Sequence, residues 1–314
     1  MPSRKVVAIL KTHGCRDLTA SLDKASISKY PVATGGLGDV YSGKLLNATP
    51  VAIKTIRTYY DGSGVVQLYH KRAAREIYTW SQCKHANVVE LLGLAVFRDS
   101  LAMISRLEEN SNMPSFLSKH PSTDRCEMST YICAGLAYLH DNGITHGDLK
   151  GANILIASDG RPMLMDFGNA TFIGADLHFT ETTTGLKSSP RWTAPEILEG
   201  KSKHSIAGDV YSLGMTILEA HTSIIPFPDH SHISLIMHVV VRKNTPTRPQ
   251  NIIPSGRVYC DQLWAMLMKC WSYDPEHRPN AKEVWEAASI CYLMQPLTPE
   301  KLNEINGDHE VGAV

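Results

Sequence analysis

Between Tyr30 and Ile56, apolar and polar residues alternate around glycines, as in Val40-Tyr41-Ser42-Gly43 and Val51-Ala52-Ile53-Lys54, and a period of two predicts antiparallel strands. The pattern then changes. From about Val65 to Gln82 the chain is rich in Ala, Arg, Lys and Glu and places Ala73, Ile77 and Trp80 at helical spacing, which predicts one helix. Strand-like runs return at Val88 to Phe97 and Leu101 to Leu107, and the polar stretch Glu108 to Pro114 then breaks the pattern as a linker. Beyond it, Arg125 to His140, Gly208 to Thr222, His232 to Lys243, Gln262 to Trp271 and Ala281 to Leu293 carry apolar stripes near the helical period. The expected class is α+β. A small antiparallel β-sheet lobe with one main helix covers residues 21–109, and a larger, mainly helical lobe covers 110–293. Residues 1–20 and 294–314 read as loosely held tails.

Composition narrows the partners. With 43% hydrophobic and 20% charged residues the chain can bury a real core, which excludes disordered and fibrous classes. Lys plus Arg equals Asp plus Glu at 31 each, so no global field favours nucleic acid or an anionic membrane, and any polyanion site must be local. The longest nearly apolar run, Ile233 to Val241, is far shorter than the ~20 residues of a bilayer span, so no membrane span is expected. The seven cysteines are scattered without a CxxC pair, which favours reduced thiols over disulfides or zinc. Val6 to Leu10 is too short for a signal-peptide core, so the expected compartment is the cytoplasm, with nuclear access open. His221, His230, His232 and His238 match no metal-ligand spacing and read as partly exposed loop residues.

The chemistry lies in four places. Ala33-Thr34-Gly35-Gly36-Leu37-Gly38-Asp39-Val40 is a glycine-rich turn between strands, where backbone N–H groups can approach phosphate oxygens, although a tight hairpin turn explains it equally well. Lys54 ends a strand of small and β-branched residues, and Glu76 on the following helix offers a carboxylate to hold its ammonium against phosphates. Ile144 to Leu155 gathers a carboxylate (Asp148), an ammonium (Lys150) and an amide (Asn153) ahead of an apolar strand. Phosphoryl transfer needs those groups together, to orient a hydroxyl, neutralise the moving phosphate and hold a metal. Met165-Asp166-Phe167-Gly168 adds a second hard oxygen ligand suited to Mg²⁺.

The ordered set of Gly35, Gly38, Lys54, Glu76, His146 to Asn153, Asp166 to Gly168 and Ala194-Pro195-Glu196 resembles the protein-kinase family. The likeness continues through Asp209 to Gly214 and through Cys270-Trp271, Asp274-Pro275 and Arg278-Pro279, spanning roughly Tyr30 to Leu293. It implies a bilobal protein-kinase-like fold that binds ATP with Mg²⁺, or Mn²⁺ in its place, and acts on protein substrates. By resemblance, Asp148, Lys150, Lys54 and Glu76 are catalytic, and Asn153 and Asp166 hold the metal. Ala33, Gly35, Gly36, Gly38, Val40, Ala52, Lys54, Ser105, Arg106, Leu107 and Leu155 face the nucleotide, with Ser105 at the gate of the adenine pocket and Arg106 to Glu108 in the hinge. The resemblance further implies a buried Glu196–Arg278 ion pair and a stacked column of Trp80, His146 and Phe167. Arg191-Trp192-Thr193-Ala194-Pro195-Glu196 and Leu101 to Leu107 are similar to tyrosine-kinase-like serine/threonine kinases, and Lys150 points to serine or threonine as acceptor.

Two positions depart from the pattern. Ala33 stands where a first glycine is usual, and Gly147 stands where most regulated kinases have the arginine that grips an activation-segment phosphate. The hydroxyls Thr180, Thr182, Thr183, Thr184, Ser188 and Ser189 therefore lack their usual phosphate anchor, and activity independent of their phosphorylation is expected. Three alternatives stay open: a pseudokinase scaffold without turnover, a dual-specificity or tyrosine kinase, and a small-molecule phosphotransferase sharing His146-Gly147-Asp148. The last class lacks Ala194-Pro195-Glu196 and the Asp209 to Gly214 run.

Overall fold

Alternation in the first third of the chain produces strands, and in the computed structural model five of them form the antiparallel path β1 (Leu22–Asp23), β3 (Asp39–Leu45), β4 (Pro50–Thr55), β6 (Ser100–Arg106) and β5 (Leu91–Phe97). The short β2 (Ala33–Thr34) pairs with β3. The structure describes residues 3–34, 38–56, 76–172 and 189–295. Of the helix expected from Val65 to Gln82, residues 76–81 are helical (α2), Gln82 already lies in the turn that follows, and residues 65–75 lie outside the described residues. Alternate residues of β5 and β6 divide between two apolar clusters. Leu94, Leu101 and Met103 face one side with Ile77 and Trp80, whereas Ala95, Phe97, Ala102 and Ile104 face the other with Val51 and Ile53.

The second lobe is helical, as its 3.6-residue stripes require: α3 (Met113–Lys119), α4 (Arg125–Asp141), α5 (Pro195–Leu198), α6 (Ile206–Thr222), α7 (His232–Ile236), α8 (Val258–Cys270) and α9 (Ala281–Met294). Side-chain caps set several starts. Asp124 accepts from the N–H groups of Cys126 and Glu127 at α4, Ser205 from Gly208 at α6, and Asn280 and Glu283 close a capping box at α9. α4 packs against α9 and α6, so the helices that carry the loops of the site share one core. Two small ribbons pack on α3 and α4: β7 (Ile144–Thr145) with β10 (Thr171–Phe172), and β8 (Ile154–Ile156) with β9 (Pro162–Leu164).

Four expectations need correction. Residues 1–20 read as a solvated tail, yet α1 (Ser3–Thr12) buries Val6, Val7 and Leu10 against β5 and β6, because those apolar positions fall on one helical stripe. The linker is shorter than Glu108 to Pro114, since Asn112 caps α3 and Pro114 fits its first turn, where a missing N–H costs nothing. The helix expected over His232 to Lys243 is α-helical only to Ile236, where Leu235 is buried, and widens into a π-helical segment at Met237–Val241 that buries Val239 and leaves Met237 and Val241 outward.

The fourth correction is His221, which is half-buried and lies in the last turn of α6, not in a loop. Its Nε2 lies 3.4 Å from Ser129 Oγ, and burial together with the Arg125 guanidinium pushes its pKa down from 6.5 to about 4. The folded state thus holds this ring neutral, whereas the unfolded chain takes up a proton first. Its contribution is complete above pH 6.5 and is lost as pH falls toward about 4, with roughly 2 kcal/mol gone by pH about 5. Urea unfolding of His221→Gln should show a flatter pH dependence across that window than the wild type. Parallel curves for the two proteins would contradict this account.

Candidate active site

Strand register assembles the first part of the site. Val40 lies opposite Lys54, Lys54 opposite Met103 and Ala52 opposite Ser105, so Val40, Ala52, Lys54 and Ser105 share one face of the sheet. Lys54 Nζ donates to Glu76 Oε1 of α2 and to Asp166 Oδ1, each at 2.9 Å. Burial works against the Lys54 ammonium, but these two carboxylates outweigh it and hold its pKa above the usual lysine value. Burial likewise opposes ionisation of Asp166, and Lys54 overrides it, keeping that carboxyl below its ordinary pKa. Asp166 adopts the left-handed conformation, φ +69°, which is rare for a side-chain-bearing residue and turns the chain sharply between β9 and the 3₁₀ turn Phe167–Asn169.

That turn seats Phe167 in the core. Its ring stacks on Trp80 at a centroid distance of 5.9 Å and lies 5.7 Å from the ring of His146. His146 is fully buried, accepts the Asp148 N–H at Nδ1 (3.3 Å), and so carries its proton at Nε2, which donates to Met165 O at 3.0 Å. Beneath this column Asp209 of α6 accepts the N–H groups of His146 (2.6 Å) and Gly147 (2.8 Å) and meets His140 Nε2 at 3.0 Å. Burial raises the cost of a charge there, and the His140 contact outweighs it, so the Asp209 pKa is lowered. Gly147 has φ +78°, and a Cβ on it would fall 2.8 Å from Asn169 O and 3.2 Å from His204 Cγ. The departure from the usual arginine thus has a physical reason, since neighbouring groups leave no room for a side chain.

Asp148, Lys150 and Asn153 converge. Lys150 Nζ donates to Asp148 Oδ2 at 2.7 Å, and Asn153 Nδ2 donates to Asp148 O (2.8 Å) and Oδ2 (3.1 Å). Ser189, which the sequence places only among the activation-segment hydroxyls, accepts from Lys150 Nζ at 2.6 Å, and its carbonyl accepts from Thr193 Oγ1 at 3.1 Å. Its signal was position, just ahead of the Arg191 to Glu196 run. A second missed residue is Glu219 of α6, whose Oε2 accepts both the Gly151 N–H and the Trp192 indole N–H at 2.9 Å, tying the loop after Lys150 to the segment before Ala194. Glu196 and Arg278 form a two-pronged pair at 2.7 Å on each prong, and Arg278 further donates to Ser272 O and Ala207 O.

Other expected nucleotide-facing positions are more varied. Gly35 and Gly36 lie outside the described residues, as do Thr180, Thr182, Thr183, Thr184 and Ser188. A Cβ on Gly38 would sit 1.5 Å from Thr55 O, so the close approach of the β4 backbone already demands glycine there. Ala33 is exposed opposite Val40. Ser105 is buried, whereas Arg106 pairs with Val51 and points to the opposite face, which leaves the main chain as its means of meeting a ligand in the cleft. Leu107 donates its N–H to Pro50 O at 3.3 Å, and Leu155 pairs with Met163 in the β8–β9 ribbon.

The comparisons agree with this geometry. The family model described as Protein kinase domain matches residues 29–288. Mitogen-activated protein kinase kinase kinase 3 of Arabidopsis thaliana is 28% identical over 281 residues, covering 87% of this chain and 42% of the relative. Serine/threonine-protein kinase STY46 of the same plant is 28% identical over 261 residues (82% and 42%), and its MAP3K epsilon protein kinase 1 is 30% identical over 269 residues (83% and 18%). The chain therefore spans less than half the length of these relatives. With the match running unbroken from the glycine-rich turn to α9, and the ion pairs of Lys54 and Arg278 both formed, the chain belongs to the protein kinase domain family.

Proposed function

We propose that the chain transfers the γ-phosphoryl group of Mg·ATP to serine and threonine hydroxyls of proteins, and that it works in the cytoplasm. The observation that carries the acceptor class is the aliphatic hydroxyl of Ser189, 2.6 Å from Lys150 Nζ, which in turn reaches Asp148 at 2.7 Å. An aliphatic hydroxyl of the chain itself thus meets the ammonium that the proposed transfer uses, which supports a small alcohol as acceptor. The cytoplasmic placement is supported by seven cysteines that are all free and buried. Among the described residues, no helix is long and apolar enough to cross a membrane.

Lys54, held by Glu76, fixes phosphate oxygens. Asp148 orients the acceptor hydroxyl and takes its proton, while Lys150 offsets charge on the moving group, so positioning and electrostatics supply most of the acceleration. The donor set fits a magnesium ion. Among the described residues no cluster of three His, Cys, Asp or Glu could hold a metal alone, and a two-ligand set, the Asn153 amide oxygen and the Asp166 carboxylate, suits a hard cation that completes its shell with phosphate and water oxygens. Bound there, Mg²⁺ supplies neutralisation of phosphate charge.

Ser189→Ala removes the outer partner of Lys150, so kcat should fall about tenfold with KM for ATP unchanged, because a loosened Lys150 misplaces charge only at the transfer step. Steady-state kinetics checks this, and an unchanged kcat would contradict it. The function itself is tested by a peptide library with γ-labelled ATP, resolved by acceptor residue. Label on serine and threonine supports the proposal. Label on tyrosine alone, on an aminoglycoside offered in parallel, or on no acceptor would refute it.

A further inference from the structure

The family match begins at residue 29, yet the chain before it is built into the small lobe. Val6, Val7 and Leu10 form one buried stripe on α1, and Ser3 Oγ donates to Asp99 O at the β5–β6 turn. α1 ends where Gly14 takes φ +89° and the Cys15 N–H returns to Leu10 O. The chain then runs along the outer edge of β5. Leu94 donates its N–H to Arg16 O (2.8 Å), Leu18 donates to Leu94 O (2.7 Å), and Val96 donates to Thr19 Oγ1 (3.0 Å). At Gly93 a Cβ would fall 2.5 Å from Arg16 O, so the β5 sequence itself accommodates this close passage.

The side of the sheet that α1 covers is informative. Val6, Val7, Leu10 and Cys15 join the cluster of Leu94, Leu101 and Met103, the face that also holds Ile77, Trp80 and Cys83 and that Lys54 shares through its pairing with Met103. Leu18 and Leu22, a few residues later, belong to the opposite cluster. α1 and the Glu76-bearing α2 thus pack on the same face, one supported on β5 and β6, the other delivering its carboxylate to β4.

We propose that α1 is a brace acting in cis: by filling the β5–β6 end of this face it limits where α2 can settle and holds Glu76 at Lys54. Its effect on rate rests on the phosphoryl-transfer reading above, but its effect on packing does not, and the thiols report the latter separately. Cys15 follows α1 and Cys83 follows α2; both are buried and so shielded from reagent while the brace is seated, and burial pushes the Cys83 thiol up to about 12.

The test uses the full chain carrying Leu10→Asp, with native thiol labelling mapped by mass spectrometry and with kinetics on the peptide substrate. The expected result is fast labelling of Cys15 and Cys83, continued protection of Cys126, Cys133, Cys260, Cys270 and Cys291, and a kcat about tenfold below wild type with a smaller change in KM for ATP. Continued protection of Cys83, or its exposure with wild-type kcat, overturns the proposal. If all seven thiols react, the variant has unfolded, and Leu10→Ala is then read by the same criteria. Wild-type protein without turnover would count against the kinase reading alone, because exposure of Cys83 still reports whether α1 holds α2.

Discussion

Replacing Asp148 by Asn should lower kcat by roughly 10²- to 10⁴-fold, about 3 to 5 kcal/mol, while ATP affinity stays at the wild-type level. The substitution is nearly isosteric, and the Asp148 main chain keeps its bonds to His146 and Asn153. What is lost is charge. Lys150, 2.7 Å away, no longer faces an anion, and no group remains to accept the hydroxyl proton. On the proposed reading ATP is held through Lys54, whose partners Glu76 and Asp166 are untouched by the substitution. Single-turnover rates and an ATP titration on the same preparation separate the two effects, and a wild-type rate would show that the base lies elsewhere.

Glu196→Ala should cost about 3 to 5 kcal/mol of stability, the penalty for leaving a buried charge without its partner. The Arg278 side chain is fully enclosed, and both of its terminal nitrogens meet Glu196 at 2.7 Å. Deleting the carboxylate strands the guanidinium beside three carbonyls, from Ser272, Ala207 and Tyr273, that cannot neutralise it. Replacing both partners by leucine should cost distinctly less, since no uncompensated charge remains. Chemical denaturation of the single and double variants decides the matter. A loss below about 1 kcal/mol in Glu196→Ala would mean that the pair is solvated.

The chemistry of this chain was more legible than its scaffolding, for a physical reason. The candidate residues Asp148, Lys150, Asn153 and Asp166 stand out by charge and hard oxygen atoms, properties written in residue type and short spacing. Periodicity likewise predicted α4, α6, α8 and α9 to within a few residues, because each buries one stripe. Readings failed where tertiary contact overrode local pattern. Val6, Val7 and Leu10 look like a weak apolar patch until β5 and β6 supply a surface for them. His221 looks like a loop residue until α6 carries it against Arg125 and Ser129 of α4. The left-handed Asp166, the π-helical Met237–Val241 segment and the Ser189–Lys150 bond leave no residue-type signature, since each depends on chain elements far apart in sequence.

The central claim is that residues spread from Lys54 to Asp166 serve a single nucleotide between the lobes. A crystal structure with a non-hydrolysable ATP analogue and Mn²⁺, read by anomalous scattering, tests it directly. The account predicts manganese ligated by Asn153 and Asp166, with phosphate oxygens contacting Lys54. Nucleotide bound outside this cleft, or manganese held by other residues, would contradict it.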